Sequence, residues 1–286
     1  MNTASMHNHK VGPLVRDWRM RRRRSQMDLA LDVGTSPRHL SFVETGRSKP
    51  SPELLLVLAD RLDVPLRERN QMLVAAGYAP RYPQTPLDDR AMARARGAVQ
   101  RMLDHHDPYP GLAVDRAWNV VLANESAGRL ANVLPPHLAG PPLNVFRACL
   151  HPDGFAPMTE NFAEWAAYLL GELRHLVTRT ADPEITALTD EVSAYPAVRA
   201  LGDWRQRPVP DEPTLLVPWR IVIDGQNLSF FTTITSFGTP ADITLSELAV
   251  ELFYPSDQAT ETALAGRGHL RLPTDGGTHT TRTSAE

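Results

Sequence analysis

The stretch Ser25–Lys49, SQMDLALDVGTSPRHLSFVETGRSK, leaves its backbone few options. Ser25 is suited to N-cap a helix, and Asp28, three residues on, completes a capping-box pattern. Leu29, Ala30 and Val33 follow at helical spacing. Gly34 then supplies a sharp turn, because it tolerates backbone angles that a side chain resists. Ser36 and Pro37 restart a helix, one as cap and the other at the first helical position. Leu40 and Val43 form its buried stripe, so Arg38, His39, Ser41 and Phe42 fall on faces the core does not use. Gly46 ends this helix, and Arg47, Ser48 and Lys49 make a basic exit.

Two short helices held at a steep angle project the N-terminal side chains of the second outward, where they reach base edges in a DNA groove. Arginine is well suited to reading guanine through two parallel hydrogen bonds. The competing reading is a structural helical hairpin with a solvated basic face. The agreement of caps, turn, stripes and basic exit favours double-stranded DNA. Charge points the same way: residues 1–83 hold 14 of the chain's 30 Lys and Arg but only 8 of its 33 Asp and Glu, a balance of +6. The rest holds 16 and 25, a balance of −9, so contact with a polyanion is expected in the front third alone.

Helices are expected on both sides of this stretch. Val11–Arg22 buries Leu14, Val15 and Trp18, and its end is crowded by Arg19 and Arg21–Arg24. Those cations suit a helix C-terminus and suit phosphate contact equally well. Arg16 is expected to pair with Glu44. Ser51-Pro52-Glu53 starts a fourth helix, and Leu66–Ala76, closed by Gly77, makes a fifth. Tyr78–Asp89, with Pro80, Pro83 and Pro86, reads as a linker, and Arg90–Leu103 as a connecting helix. From Pro108 the pattern changes to short alternating runs at 111–114 and 118–123, followed by a helix from Asn124. Thr159–Arg179 reads as a long amphipathic helix, and Asp182–Leu201 as further helix broken at Tyr195-Pro196. A hairpin is expected around Asp224–Asn227, with Pro218 marking an edge position or a bulge, and a last strand over Leu245–Tyr254.

The chain is 286 residues long, enough for two domains of roughly 100–200 residues each. No apolar run approaches the roughly 20 residues that span a bilayer, and the start carries no signal-peptide pattern, so no membrane association and a cytoplasmic location are expected. Cys149 is a lone cysteine, without the basic cluster of a nucleophile. His105-His106-Asp107 and His151-Pro152-Asp153 lack the spacing of metal ligands, so no metal and no cofactor are expected. Neither a nucleophile elbow nor a phosphate-cradling glycine loop is present, and the chain is not expected to be an enzyme. Trp118, Phe162, Trp165, Trp219, Phe230 and Phe231 either fill the core of the second domain or line a cavity within it.

The pattern Ser25-Gln26, Leu29-Ala30, Gly34, Leu40 and Glu44-Thr45-Gly46-Arg47 resembles the Cro and phage-repressor class of helix–turn–helix proteins. SPRHLSFVETGRSKPS, with PLRERNQMLVAAGYAP further on, looks like the MmyB-like regulators of bacteria. Val114-Asp115, Trp118–Val121 and Ala123-Asn124 carry the resemblance into the second half. It implies a multidomain chain: an all-α five-helix Cro/repressor-type helix–turn–helix domain over 11–77, a linker and connecting helix over 78–107, and an α+β PAS-like ligand-binding domain with a mainly antiparallel sheet over 108–265. The ends, 1–10 and 266–286, are expected to be disordered. The resemblance implies phosphate contact by Gln26, base-facing positions for Ser36, Pro37, Arg38 and Phe42, a phosphate or base contact for His39, and phosphate contacts by Arg47 and Lys49. The family often has Gln or Thr where Pro37 and Phe42 stand; Pro37 has no donor, so any reading there is apolar.

The resemblance further implies a transcriptional regulator; because one such module makes few contacts, a homodimer on an inverted repeat is expected, with half-sites roughly 34 Å apart. It implies a small hydrophobic, fatty-acid-like ligand as well, and the expected lining is Trp118, Phe162, Trp165, Leu169 and Phe231. A DNA-tethered enzyme, or an adaptor whose second domain holds a protein partner, are the alternatives.

Overall fold

The computed structural model describes residues 11–202 and 216–265, so both ends expected to be disordered lie outside the described residues. Five helices open the chain: α1 Val11–Arg21, α2 Gln26–Asp32, α3 Pro37–Glu44, α4 Pro52–Arg61 and α5 Leu66–Ala75. Hydroxyl caps set three of the starts. Ser25 Oγ accepts from the Asp28 amide at 3.1 Å and donates to the Asp28 carboxylate at 2.6 Å. Ser36 accepts from the His39 amide at 3.1 Å, and Ser51 from the Leu54 amide at 3.2 Å. Gly34 turns the chain between α2 and α3 at φ +70°, in open space, so backbone angle alone calls for glycine there. Gly12 answers a different need. A Cβ on it would lie 2.5 Å from the Glu44 carbonyl oxygen, so its absence lets α1 press against the exit of α3. The helices close over Val15, Trp18, Leu29, Leu40, Val43, Leu55, Leu58, Leu62 and Met72.

The segment expected to be a linker is fastened at both ends. Asn70 of α5 accepts from the Arg81 and Tyr82 amides at 2.8 and 3.0 Å and donates to the Tyr82 carbonyl at 2.7 Å. Asp242, far along the chain, accepts from the amide and hydroxyl of Thr85 at 3.1 and 2.7 Å. After a 3-10 turn at Arg90–Met92, α6 runs over Ala93–Asp104.

The second half is built on five strands: β1 Gly111–Val114, β2 Val120–Ala123, β3 Trp219–Ile223, β4 Gln226–Ser236 and β5 Ala249–Pro255. Their order is β2-β1-β5-β4-β3, and every pairing is antiparallel. β3 is an edge strand, in keeping with Pro218 immediately before it. The β3–β4 turn is tighter than expected: only Asp224 and Gly225 lie in it, both at positive φ, while Gln226 and Asn227 already pair with Ile223 and Val222. The expected last strand also divides. Asp242 caps a short helix, α13 Ile243–Glu247, and β5 begins after it.

Between β2 and β3 come α7 Glu125–Ala131, α8 Pro136–Ala139, α9 Val145–Leu150, α10 Phe162–Thr180, α11 Pro183–Ser193 and α12 Pro196–Arg199; α14 Gln258–Ala265 follows β5. One sheet face packs on α9, α10 and α11 through Phe146, Leu150, Trp165, Leu173, Ile185 and Trp219. The opposite face packs on α6 through Val99, Leu103, Val250 and Leu252. Asn124 ties these pieces together: its side chain accepts from the Gly111 amide at 3.0 Å and donates to the Leu103 and Tyr109 carbonyls at 3.1 and 2.8 Å.

Candidate nucleic-acid interface and ligand cavity

The outward face of α3 follows from what its inward face does. Leu40 and Val43 are buried, which leaves Ser36, Pro37 and Arg38 exposed at the N-terminal tip and His39 and Phe42 half-buried beside it. Two guanidinium groups lie over the Phe42 ring, with Arg38 5.4 Å and Arg47 5.9 Å from its centroid. An aromatic face restrains a guanidinium without neutralising it. Lys49 sits 4.4 Å from the Tyr78 ring centroid in the same manner. Of the expected contact residues, Ser36 is occupied as the cap of α3, while Pro37, Arg38 and His39 form the first turn of the helix it starts. Gln26 is half-buried, and its amide donates to Glu44 at 2.7 Å, which leaves its carbonyl end for other contacts.

The other arginines of this module behave differently. Glu44 is buried and takes both ends of the Arg19 guanidinium, at 2.6 and 2.9 Å. Arg16, the partner expected from sequence, is exposed one helical turn earlier. Arg22 donates to the Leu62 and Asp63 carbonyls at 2.8 and 2.9 Å, capping the end of α4. Arg24 is paired with Asp32. The cluster at the end of α1 therefore holds the module together as much as it offers charge outward.

In the second domain, a cavity of about 90 Å³ opens between β1, β2, α7, α9 and the sheet. Its lining is almost wholly apolar: Leu112, Val120, Ala127, Leu130, Leu134, Leu143, Val145, Cys149, Phe155, Trp219 and Phe253 contribute. None of the five residues expected to line it does so. Trp165 and Leu169 are in the core, with Phe162 packed at its fringe. Phe231 stacks on Tyr254, with centroids 5.4 Å apart. Trp118, at φ +64° in the β1–β2 turn, packs on Phe146 and borders a separate polar cleft of about 930 Å³ between the two halves. Aromatic content was the only cue in sequence, whereas the wall is mostly aliphatic and small. Ala127, Gly128 and Ala131 on α7 give it room, and that spacing is a weak signal without the strands opposite.

His137 is brought beside His151 and Asp153, with donor atoms of the three within 4.8 Å. The Nδ1 lone pair of His151 is already engaged by the Asp153 amide at 3.0 Å. Cys149 is buried and its thiol is pushed up to about 12, chiefly by burial, so it is a neutral wall group.

The two halves meet at α5 and α13. Arg67 grips Glu247 through two bonds at 2.7 and 2.8 Å and also reaches Gln84 at 3.0 Å. Beside it, Glu68 is pushed up to about 7, first by burial and further by the nearby charges of Glu247 and Asp182.

Comparison with known families agrees with this arrangement. Residues 15–69 match a helix–turn–helix family. Residues 95–266, more than half of the chain, match the MmyB-like transcription regulator ligand binding domain. The protein is thus of the class that joins a DNA-binding helix–turn–helix module to an α+β PAS-like ligand-binding domain. It belongs to the MmyB-like transcription regulators. No curated protein matches the chain significantly. Both matched families are regulatory domains, and among the described residues no helix is long and apolar enough to cross a membrane.

Proposed function

We propose that this regulator acts in the cytoplasm as a homodimer on an inverted-repeat operator, and that a small hydrophobic, fatty-acid-like ligand in the second domain tunes its grip. The observation that carries the DNA half is the cluster of Arg38 and Arg47 over the Phe42 ring. It holds two guanidiniums on the exposed side of α3, and neither has a carboxylate partner among the described residues. Arg38, at the tip, faces bases with Ser36, Pro37 and Phe42; Arg47, Lys49, Gln26 and His39 face phosphates. The apolar cavity supports the ligand half.

The Arg67–Glu247 grip offers a route between the two. Glu247 ends α13, and β5 begins two residues later and carries Phe253 into the cavity wall. A ligand that moves β5 shifts α13, and with it α5 of the DNA-binding module, by as much as it prefers one arrangement over the other. The test is selection of bound duplexes from a random pool with the full chain, then sedimentation of the complex. An inverted repeat bound by two copies is the expected result. A single half-site bound by one copy refutes the dimeric reading, and no enrichment refutes the DNA reading.

A further inference from the structure

Charge is not spread evenly over the second half of the chain. Residues 84–286 are acidic as a whole, yet Arg90–Arg101 holds four arginines, Arg90, Arg94, Arg96 and Arg101, and no acid. All four are exposed. Val99 and Leu103 form the buried face of α6, packed against the sheet. Arg94 and Arg101 fall within roughly 20° of each other around the helix, on the side opposite that face. Arg90, in the 3-10 turn that leads in, extends the line by four residues, and Arg96 flanks it. A Cβ on Gly97 would lie 3.4 Å from a terminal nitrogen of Arg101, so the Arg101 guanidinium folds back over Gly97 toward Arg94.

Other arginines of this half are spent on carboxylates. Arg116 pairs with Asp182 and Glu184, Arg129 with Glu125, Arg147 with Glu191 and Arg220 with Glu164. Among the described residues, Arg90, Arg94, Arg96 and Arg101 pair with no carboxylate. The acids that bracket them in sequence are held locally: Asp89 accepts from the Ala91 amide and Asp104 from the Gln100 side chain, each at 2.8 Å. Like charges one turn apart destabilise a helix, so the stripe works slightly against the element that bears it.

We propose that the Arg90–Arg94–Arg101 stripe is a second DNA contact, which grips the phosphate backbone beside the stretch that α3 reads. This rests on the front module holding duplex DNA. A guanidinium fork matches two phosphate oxygens at once, and it keeps its charge at any working pH. Arg94 and Arg101 stand about 10 Å apart along the axis, a span of about three phosphates on one strand. The strap held by Asn70 and Asp242 ties α6 to the module that docks through α3, so phosphates meet the stripe at high local concentration. The contact adds affinity and carries no sequence information.

The test is the affinity of the full chain for a mixed-sequence duplex of about 40 base pairs between about 50 and 200 mM KCl, where such binding is almost wholly electrostatic. The triple variant Arg90→Gln, Arg94→Gln, Arg101→Gln should lower the slope of log affinity against log salt by about two to three. It should also weaken binding at least about tenfold at about 50 mM. Arg94→Gln alone should lower the slope by about one, and it stays informative if the triple variant fails to fold. Arg199→Gln removes an exposed charge elsewhere on the same half and should leave the slope unchanged. A slope that the triple variant does not move overturns the proposal and leaves a solvated helix face. A slope that falls as much for Arg199→Gln as for Arg94→Gln overturns it in favour of net charge alone. If the triple variant loses binding to phosphatidylglycerol vesicles while its DNA slope stays fixed, the stripe serves an anionic lipid surface instead, and the proposal fails. An unaltered chain that binds no duplex at about 50 mM refutes the DNA-binding role of α3 itself, and this proposal with it.

Discussion

Glu44 holds three elements with one carboxylate: α3, which bears it, α1 through Arg19, and α2 through Gln26. Both members of the Arg19–Glu44 pair are largely out of water, with side chains 12 % and 1 % exposed. Glu44→Ala strands a buried guanidinium and should cost about 3–5 kcal/mol in urea unfolding monitored at the helical signal. The pairing also shows where sequence runs short. Arg16 and Arg19 are three apart on α1 and share a face, so spacing alone does not choose between them; the depth at which α1 meets α3 does, and Gly12 sets that depth. The outward residues separate by role. Arg38→Ala should lose about 1–3 kcal/mol on the selected operator and relax preference at one base position in a binding-site selection. Arg47→Ala should instead weaken all duplexes alike and lower the slope of log affinity against log salt by about one.

At the scale of elements, the helix–turn–helix was legible because its determinants are local. Each cap, the Gly34 turn and the basic exit depend on residues within one or two turns. The division of the last strand into α13 and β5 was not legible, because the Asp242 side chain that caps α13 is also held by Thr85, distant in sequence. The lining of the apolar cavity was not legible for the same reason. Its wall is assembled on one face of the sheet from strands and helices far apart in sequence, and no local period marks it. Gly12 gives a sharp test at this scale. Gly12→Ala puts a methyl group against the Glu44 carbonyl and should cost about 1–3 kcal/mol, read as a lowered unfolding midpoint. Gly34 has open space around it, so Gly34→Ala strains only the backbone and should cost about 1 kcal/mol in the same measurement.

For the whole molecule, the contact between α5 and α13 joins the two functions, and it carries a titrating group. Burial raises the folded pKa of Glu68 from the ordinary carboxyl value of 4.5 to about 7. Its contribution to stability is fully present below the unfolded value and is lost as pH rises through about 7. Glu68→Gln should therefore flatten the decline in unfolding midpoint between about pH 5 and pH 8. Arg67→Ala leaves Glu247 without its partner and should weaken the effect of a bound hydrophobic probe on operator affinity, while affinity measured without the probe changes less. An unchanged probe effect in a binding titration refutes this route.

The strap between the halves, pinned by Asn70 at one end and Asp242 at the other, limits how freely such a chain is recombined. Grafting a foreign front module onto this sensor transplants a reader without its hinge pins unless an asparagine and an arginine occur at matching places on its last helix. Chimeras that keep Asn70 and Arg67 should still respond to the sensor, whereas those joined elsewhere should bind their operators deaf to it.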